Sequence, residues 1–181
     1  MSAIISLTMG YFIGCINPAS LIGRKKKVDL RENGTGNLGA SNAAVTMGWG
    51  AAVIVAIHDI GKAILAVCLT RWLFSGVAYL GELAGVACVL GHMYPFYLGF
   101  RGGKGLASYF GMVLALNWRL ALIVAAVILL ATLITDFISV GALSSIEVVP
   151  VYMGIATQNL VLVGILCIAT LVMFAKHWEN I

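Results

Sequence analysis

Residues 1–27 read MSAIISLTMGYFIGCINPASLIGRKKK: twenty-three positions without Asp, Glu, Lys or Arg, then Arg24-Lys25-Lys26-Lys27 in an unbroken run. An apolar stretch of that length crosses the ~30 Å of hydrocarbon in a bilayer as an α-helix rising ~1.5 Å per residue. A secretory signal would carry its basic residues ahead of the apolar stretch, not behind it. Basic residues stay on the cytoplasmic side. The stretch therefore reads as a first transmembrane helix near 2–22, with its N-terminus outside.

The rest of the chain repeats the pattern. Residues 83–100 and 148–175 are equally free of charge, hydrophobic residues make up 61% of the 181 positions, and mean hydropathy is +1.03. Charged residues are only 10%, against about 25% in soluble domains. A soluble fold of this size has too few polar side chains here to cover its surface, which excludes a secreted module, an ordinary cytosolic enzyme and a disordered tail. Six further segments are predicted near 48–73, 77–98, 105–116, 118–134, 138–156 and 160–175. The fold class is thus an all-α integral membrane protein with seven transmembrane helices in one domain, residues 1–181, and a cytoplasmic C-terminus. Segment 105–116 would be only ~18 Å long, so it is expected to be short or re-entrant. Alternation places Arg24, Lys25, Lys26, Lys27, Arg31, Arg101, Lys104 and Lys176 inside, against Arg71 and Arg119 outside. The net charge of +4 then answers anionic headgroups rather than nucleic acid. Cys15, Cys68, Cys88 and Cys167 fall one per apolar segment, without CxxC spacing, and read as packing.

Helices so poor in polar residues leave the chemistry to the breaks between them. The first break runs from Asp29 to Asn42 and carries Gly34-Thr35-Gly36-Asn37-Leu38-Gly39-Ala40-Ser41. Its formal GxGxxG is no dinucleotide fingerprint, because no strand precedes it. A loop this rich in glycine, hydroxyl and amide groups can turn backbone N–H groups toward an anion, though the same composition suits a plain connector. The second break is Gly91-His92-Met93-Tyr94-Pro95, then Arg101-Gly102-Gly103-Lys104-Gly105. Glycines, two cations and a helix start near Gly105 coincide there, which makes a phosphate site; a positive-inside anchor with turn glycines is the plainer alternative. The third is the tail, where His177 and Asn180 would share a helix face and the imidazole could exchange a proton near neutral pH.

Within the spans, Asp59 and Lys62 stand three apart and suit a neutralising pair, whereas Glu82 and Glu147 stand alone. Pro150 suggests a kink that opens a small polar pocket beside Glu147. No His, Cys or Asp cluster has metal-ligand spacing, and there is no Gly-x-Ser-x-Gly elbow.

In order and spacing these stretches resemble the bacterial acyl-phosphate-dependent glycerol-3-phosphate acyltransferases, the PlsY family. The resemblance covers the whole chain: Gly14-Cys15-Ile16-Asn17-Pro18, the 34–42 loop, Asp59 with Lys62, the block from Gly91 to Gly105, and the terminal His177-x-Glu179-Asn180-Ile181. It implies a seven-helix protein of the bacterial inner membrane, a monomer without cofactor or metal. The implied reaction transfers an acyl group from acyl phosphate to the 1-hydroxyl of glycerol 3-phosphate. The resemblance implies that Lys104, His177, Asn180 and Thr35 do the catalytic work. Substrate binding would fall to Gly36, Asn37, Ser41, His92, Arg101, Gly102, Gly103 and Ser139, with backbone N–H groups of Gly36, Asn37, Gly102 and Gly103 cradling the acyl phosphate head. Val45 occupies a position where the resemblance implies an arginine, and Ala142 one where it implies a hydroxyl. These departures keep a second reading open, a non-catalytic or altered-acceptor relative that binds lipid phosphate. A small anion or lipid transporter is a third.

Overall fold

The computed structural model describes residues 1–178. Among them every regular element is helical: α1 (Ser2–Cys15), α2 (Pro18–Lys26), α3 (Ala40–Met47), α4 (Trp49–Leu73), α5 (Leu80–Met93), a 3-10 turn (Phe96–Leu98), α6 (Leu106–Leu116), α7 (Trp118–Thr135), α8 (Ile138–Thr157) and α9 (Leu160–Trp178). Among the described residues, five spans are long and apolar enough to cross a membrane: Ser2–Lys26, Trp49–Leu73, Trp118–Thr135, Ile138–Thr157 and Leu160–His177. The two shorter apolar helices, α5 with 14 residues and α6 with 11, are packed inside the bundle. Leu65, Leu122, Leu133, Ile155 and Leu171 face outward, as side chains solvated by lipid tails should. Trp49 and Trp72 sit outward at the two ends of α4. Their separation along the axis is about 35 Å, the span between two headgroup layers where indole rings prefer to lie.

Three expected boundaries shift, each for a local reason. The first segment is not one helix over 2–22. Proline lacks an N–H and takes the first position of a new helix; Pro18 does so here, with Asn17 as N-cap accepting from the Ser20 N–H at 2.8 Å. The segment expected over 77–98 contracts to α5, since Pro95 cannot continue it. Residues 40–47, read as loop and connector, form α3, whose last carbonyl accepts from Lys26 Nζ at 2.9 Å.

Close backbone approach holds the bundle together, as membrane helices require when lipid gives no hydrophobic drive to association. A Cβ on Gly10 would collide with the Ala84 carbonyl, one on Gly14 with that of Cys88, and one on Gly91 with that of Tyr11. Helices α1 and α5 thus run parallel in contact along a Gly-x-x-x-Gly stripe. Gly111 meets the Ile60 carbonyl in the same way, seating short α6 against α4. Tyr109, Met112, Val89, Leu166 and Met173 fill the main core among α4, α5, α6 and α9. A smaller core of Leu30, Leu38, Ala43, Met47 and Val55 lies beneath the 29–39 loop.

The carbonyl freed by Pro150 is taken up by neighbouring helices rather than left to line a polar pocket. A proline inside a helix leaves the carbonyl four residues back without its donor. That carbonyl, Ile146, accepts from the Tyr109 hydroxyl at 3.0 Å and from Thr170 Oγ1 at 3.1 Å. Glu147 itself faces outward. Glu82 is not alone either: it receives Arg71 at 3.0 Å.

Candidate active site

All the polar breaks collect at one end of the bundle. There the loop after α2, the loop after α5, the start of α8 and the end of α9 enclose a cavity of about 560 Å³. Its walls include Thr35, Asn37, Ser41, Asp59, His92, Lys104, Ser139 and His177, and it continues between Ile60, Leu106, Phe110, Ile128 and Ile138. Apart from Asp59 in the middle of α4, the polar residues come from loops and helix ends, and the apolar ones from α4, α6, α7 and α8. This is a place for a charged head with a hydrocarbon chain attached.

The 29–39 loop owes its shape to one side chain. Asn42, fully buried at the start of α3, donates to the carbonyls of Leu30, Asn33 and Asn37 at 2.9, 3.0 and 2.9 Å and accepts from the Thr35 N–H at 2.9 Å. Gly34 and Gly36 take positive φ, 63° and 69°, as this wrap demands, and a Cβ on Gly34 would strike Asn42 Oδ1. Leu30 and Leu38 anchor the loop's two ends at 1% and 2% exposure. At its start the Arg31 guanidinium, hydrogen-bonded to Asp29, holds that carboxyl down at about 2. The result is a preset loop that presents Thr35 and Asn37 to the cavity.

The 94–105 loop is pinned back onto α5. Gly102 N–H donates to the Met93 carbonyl at 3.0 Å and Gly103 N–H to that of His92 at 3.1 Å. Gly36 N–H likewise donates to the Asn33 carbonyl at 3.2 Å. These three N–H groups are engaged within their own loops, and Gly36, Arg101, Gly102 and Gly103 are not among the residues of the cavity wall. What reaches the wall is Lys104 with Gly105, Leu106 and Ala107. A helix start leaves its first N–H groups without intrahelical partners and positive, and the first turn of α6 reaches the cavity wall.

His177 is 3% exposed on α9, and its Nδ1 lies 2.9 Å from the Met173 carbonyl oxygen. A carbonyl only accepts, so Nδ1 carries a proton, and in the neutral ring Nε2 keeps its lone pair. Asp59, Lys62 and His92 form a buried cluster at the cavity wall, with Lys62 Nζ 2.7 Å from Asp59 Oδ1 and 2.9 Å from His92 Nδ1. The expected pair is present, but it has a third member.

Of the residues expected from sequence, the structure thus brings Thr35, Asn37, Ser41, His92, Lys104, Ser139 and His177 to one cavity. Asn180 lies outside the described residues. Ala142 is buried in the wall one turn after Ser139. Val45 is 75% exposed, one turn beyond Ser41 on α3. The sequence reading missed Asp59 as a wall residue and Asn42 as the loop's organiser. The signal for Asn42 was a lone amide in the first turn of a short helix that hydropathy did not reveal.

A family model described as Glycerol-3-phosphate acyltransferase matches residues 4–181. Glycerol-3-phosphate acyltransferase 1 of Oceanobacillus iheyensis is 34% identical over 190 residues, covering 99% of this chain and 90% of that relative. A glycerol-3-phosphate acyltransferase of Coxiella burnetii is 38% identical over 182 residues, covering 99% and 93%. The crystal structure of PlsY, an integral membrane glycerol 3-phosphate acyltransferase, in its glycerol 3-phosphate form, matches with a TM-score of 0.91 at 29% identity. That match covers 99% of this chain and 90% of that one. The lysophosphatidic acid form matches with a TM-score of 0.89 at 28% identity. The chain is a multi-pass, all-helical member of the glycerol-3-phosphate acyltransferase family.

Proposed function

We propose that the chain is a glycerol-3-phosphate acyltransferase of phospholipid biosynthesis that takes its acyl group from acyl phosphate. The observation that carries this is the two-part cavity, a cationic and hydroxyl-bearing head continuous with an apolar groove between α6, α7 and α8. A soluble anionic acceptor meets a lipid-like donor where those two parts join.

Acyl phosphate is a mixed anhydride with phosphate as its leaving group, so no covalent enzyme intermediate is required. The acceptor's 1-hydroxyl oxygen bonds to the carbonyl carbon and the bond from that carbon to the phosphate oxygen breaks. His177 Nε2 takes the hydroxyl proton and passes it to the departing phosphate. Lys104 and the first turn of α6 offset the repulsion between two phosphate-bearing substrates. Thr35 and Asn180 orient the acceptor, while Asn37, Ser41 and Ser139 bind polar oxygens of the head. Seven crossings with the N-terminus outside suit the arrangement, because alternation through α1–α2, α4, α5, α6, α7, α8 and α9 puts every wall-forming loop on the cytoplasmic side. Placement in the inner membrane and action as a single-domain monomer belong to the same reading.

The test is phosphate release by the purified protein in bilayers containing acyl phosphate. Release that requires glycerol 3-phosphate and yields lysophosphatidic acid supports the reading; acyl transfer from acyl-CoA but not from acyl phosphate contradicts the donor.

A further inference from the structure

Lys62 reaches from α4 to the end of α5 and to the break between α1 and α2. Its ammonium hydrogen-bonds the Ile16 carbonyl oxygen at 2.9 Å and His92 Nδ1 at 2.9 Å, and forms an ion pair with Asp59 Oδ1 at 2.7 Å. All three side chains, Asp59, Lys62 and His92, are at most 4% exposed, so no bulk water rearranges these contacts. An ammonium donates and cannot accept. His92 Nδ1 must therefore be the acceptor, and the ring's proton sits on Nε2. The competing arrangement points an Nδ1–H at Asp59 Oδ1, 3.3 Å away, and faces it into ammonium hydrogens across 2.9 Å. The shorter contact decides against it. A doubly protonated ring meets the same obstacle, since its second proton would also sit on Nδ1.

Nε2 lies on the far edge of the ring, against Gly103. A Cβ at that position would collide with Nε2, and Gly103 N–H donates to the His92 carbonyl at 3.1 Å. Ring and loop are thus held as one unit immediately before Lys104, and both His92 and Lys104 line the cavity. His177, in the same wall, is held in the opposite tautomer by the Met173 carbonyl.

We propose that His92 binds a phosphate oxygen of the substrate through Nε2–H, and that Lys62, aided by Asp59, is a positioning residue that holds the ring in this donor tautomer. The cavity then contains two histidines with opposite tasks, one giving a hydrogen bond and one accepting a proton. The assignment rests on the acyl-transfer reading for the identity of the phosphate, carried by acyl phosphate or by glycerol 3-phosphate, and on geometry alone for the tautomer.

Two measurements test it. In bilayer-embedded protein labelled with 15N-histidine, with the His92 signals identified by their loss in His92→Gln, the wild type should show a protonated Nε2 and a bare Nδ1. Lys62→Met should move the proton to Nδ1. Kinetically, His92→Phe should raise KM at least about tenfold for one of the two substrates, titrated separately, as expected for one lost hydrogen bond to a charged oxygen. His92→Gln, which keeps an N–H donor at that reach, should restore most of the loss, and the substrate whose KM moves identifies the phosphate. A proton on Nδ1 in the wild type, or unchanged KM values for both substrates in His92→Phe, overturns the proposal. Absence of any acyl transfer by the wild type would instead refute the functional reading, with the spectrum still deciding the tautomer.

Discussion

The two ends of this bundle use similar polar residues to opposite effect. At one end, the connections after α4, α6 and α8 are short and their polar groups are paired. Arg71 donates to Glu82 at 3.0 Å and to the Ala115 carbonyl at 3.2 Å, Asn117 caps α7 through the Arg119 and Leu120 N–H groups, and Asn159 caps α9 while donating to the Tyr79 hydroxyl. At the other end the connections are long, and Thr35, Asn37, Ser41, Lys104 and Ser139 turn toward an open cavity. One end closes the helices; the other brings its polar groups to the wall of a cavity. The lesson is that a cation's role here goes with its place, Arg71 within a closed set of helix ends and Lys104 on a cavity wall.

The largest contrast should come from one lysine against one arginine. Lys104→Ala should lower turnover by about two orders of magnitude, as the loss of ~3 kcal/mol of charge-assisted hydrogen bonding implies, with insertion unchanged by protease mapping. Arg71→Ala, at the closed end, should leave kcat and KM within about twofold, because a half-exposed ion pair contributes about 1 kcal/mol or less. Near-normal turnover in the Lys104 variant would erase the distinction between the ends.

Next comes the loop's organiser. Asn42→Ala removes an amide that satisfies four backbone groups, and each buried group left unpaired costs about 1–3 kcal/mol. The 29–39 loop should open, seen as faster hydrogen exchange confined to it, and activity should fall about tenfold or more while the helices retain their circular dichroism. Full activity with a protected loop would show that Asn42 does not shape the site.

Val45 sharpens the comparison from the acceptor's side. It stands one turn beyond Ser41, outward, at the margin of the open end. An arginine fork there could hold a phosphate bidentately, so Val45→Arg should raise kcat/KM for glycerol 3-phosphate about tenfold. A wild type that already saturates at low micromolar acceptor, and is unimproved by arginine, would show that the missing fork is compensated elsewhere. The smallest effect is expected of Ala142→Ser, which adds one neutral hydroxyl to the cavity wall and should lower KM for acyl phosphate by about threefold or less; a rise in KM would mean the hydroxyl crowds the head.

Much of this architecture was legible in the sequence because lipid solvation acts on composition. The apolar windows located α4, α7, α8 and α9 within a few residues, and the dozen apolar residues before Asn117 announced the short α6. What escaped was decided by hydrogen bonding, which hydropathy does not sense. Asn17 and Pro18 divide the first span, Pro95 ends α5 early, and Asn42 turns a supposed connector into a helix and a preset loop. The glycine loops were expected to bind the substrate; Thr35, Asn37 and Lys104 from them reach the cavity wall, and their glycines at 36, 102 and 103 do not. Gly36, Gly102 and Gly103 donate their N–H groups to neighbouring carbonyls, a use that composition cannot distinguish from anion binding. Asp59 and Lys62 were legible as a pair from their spacing, whereas the third partner, His92, comes from another helix thirty residues on.

The central claim, that substrate binds at the open end with its chain between α6, α7 and α8, is tested most directly by photolabelling. A non-hydrolysable acyl phosphonate with a photoreactive group in its chain would be crosslinked in bilayers and the adducts mapped by mass spectrometry. The account predicts adducts at Leu106, Phe110, Ile128 or Ile138, lost in competition with acyl phosphate. Adducts concentrated around Arg71, Glu82 and Tyr79, or spread over outward residues such as Leu122 and Leu171 and indifferent to competition, would contradict it.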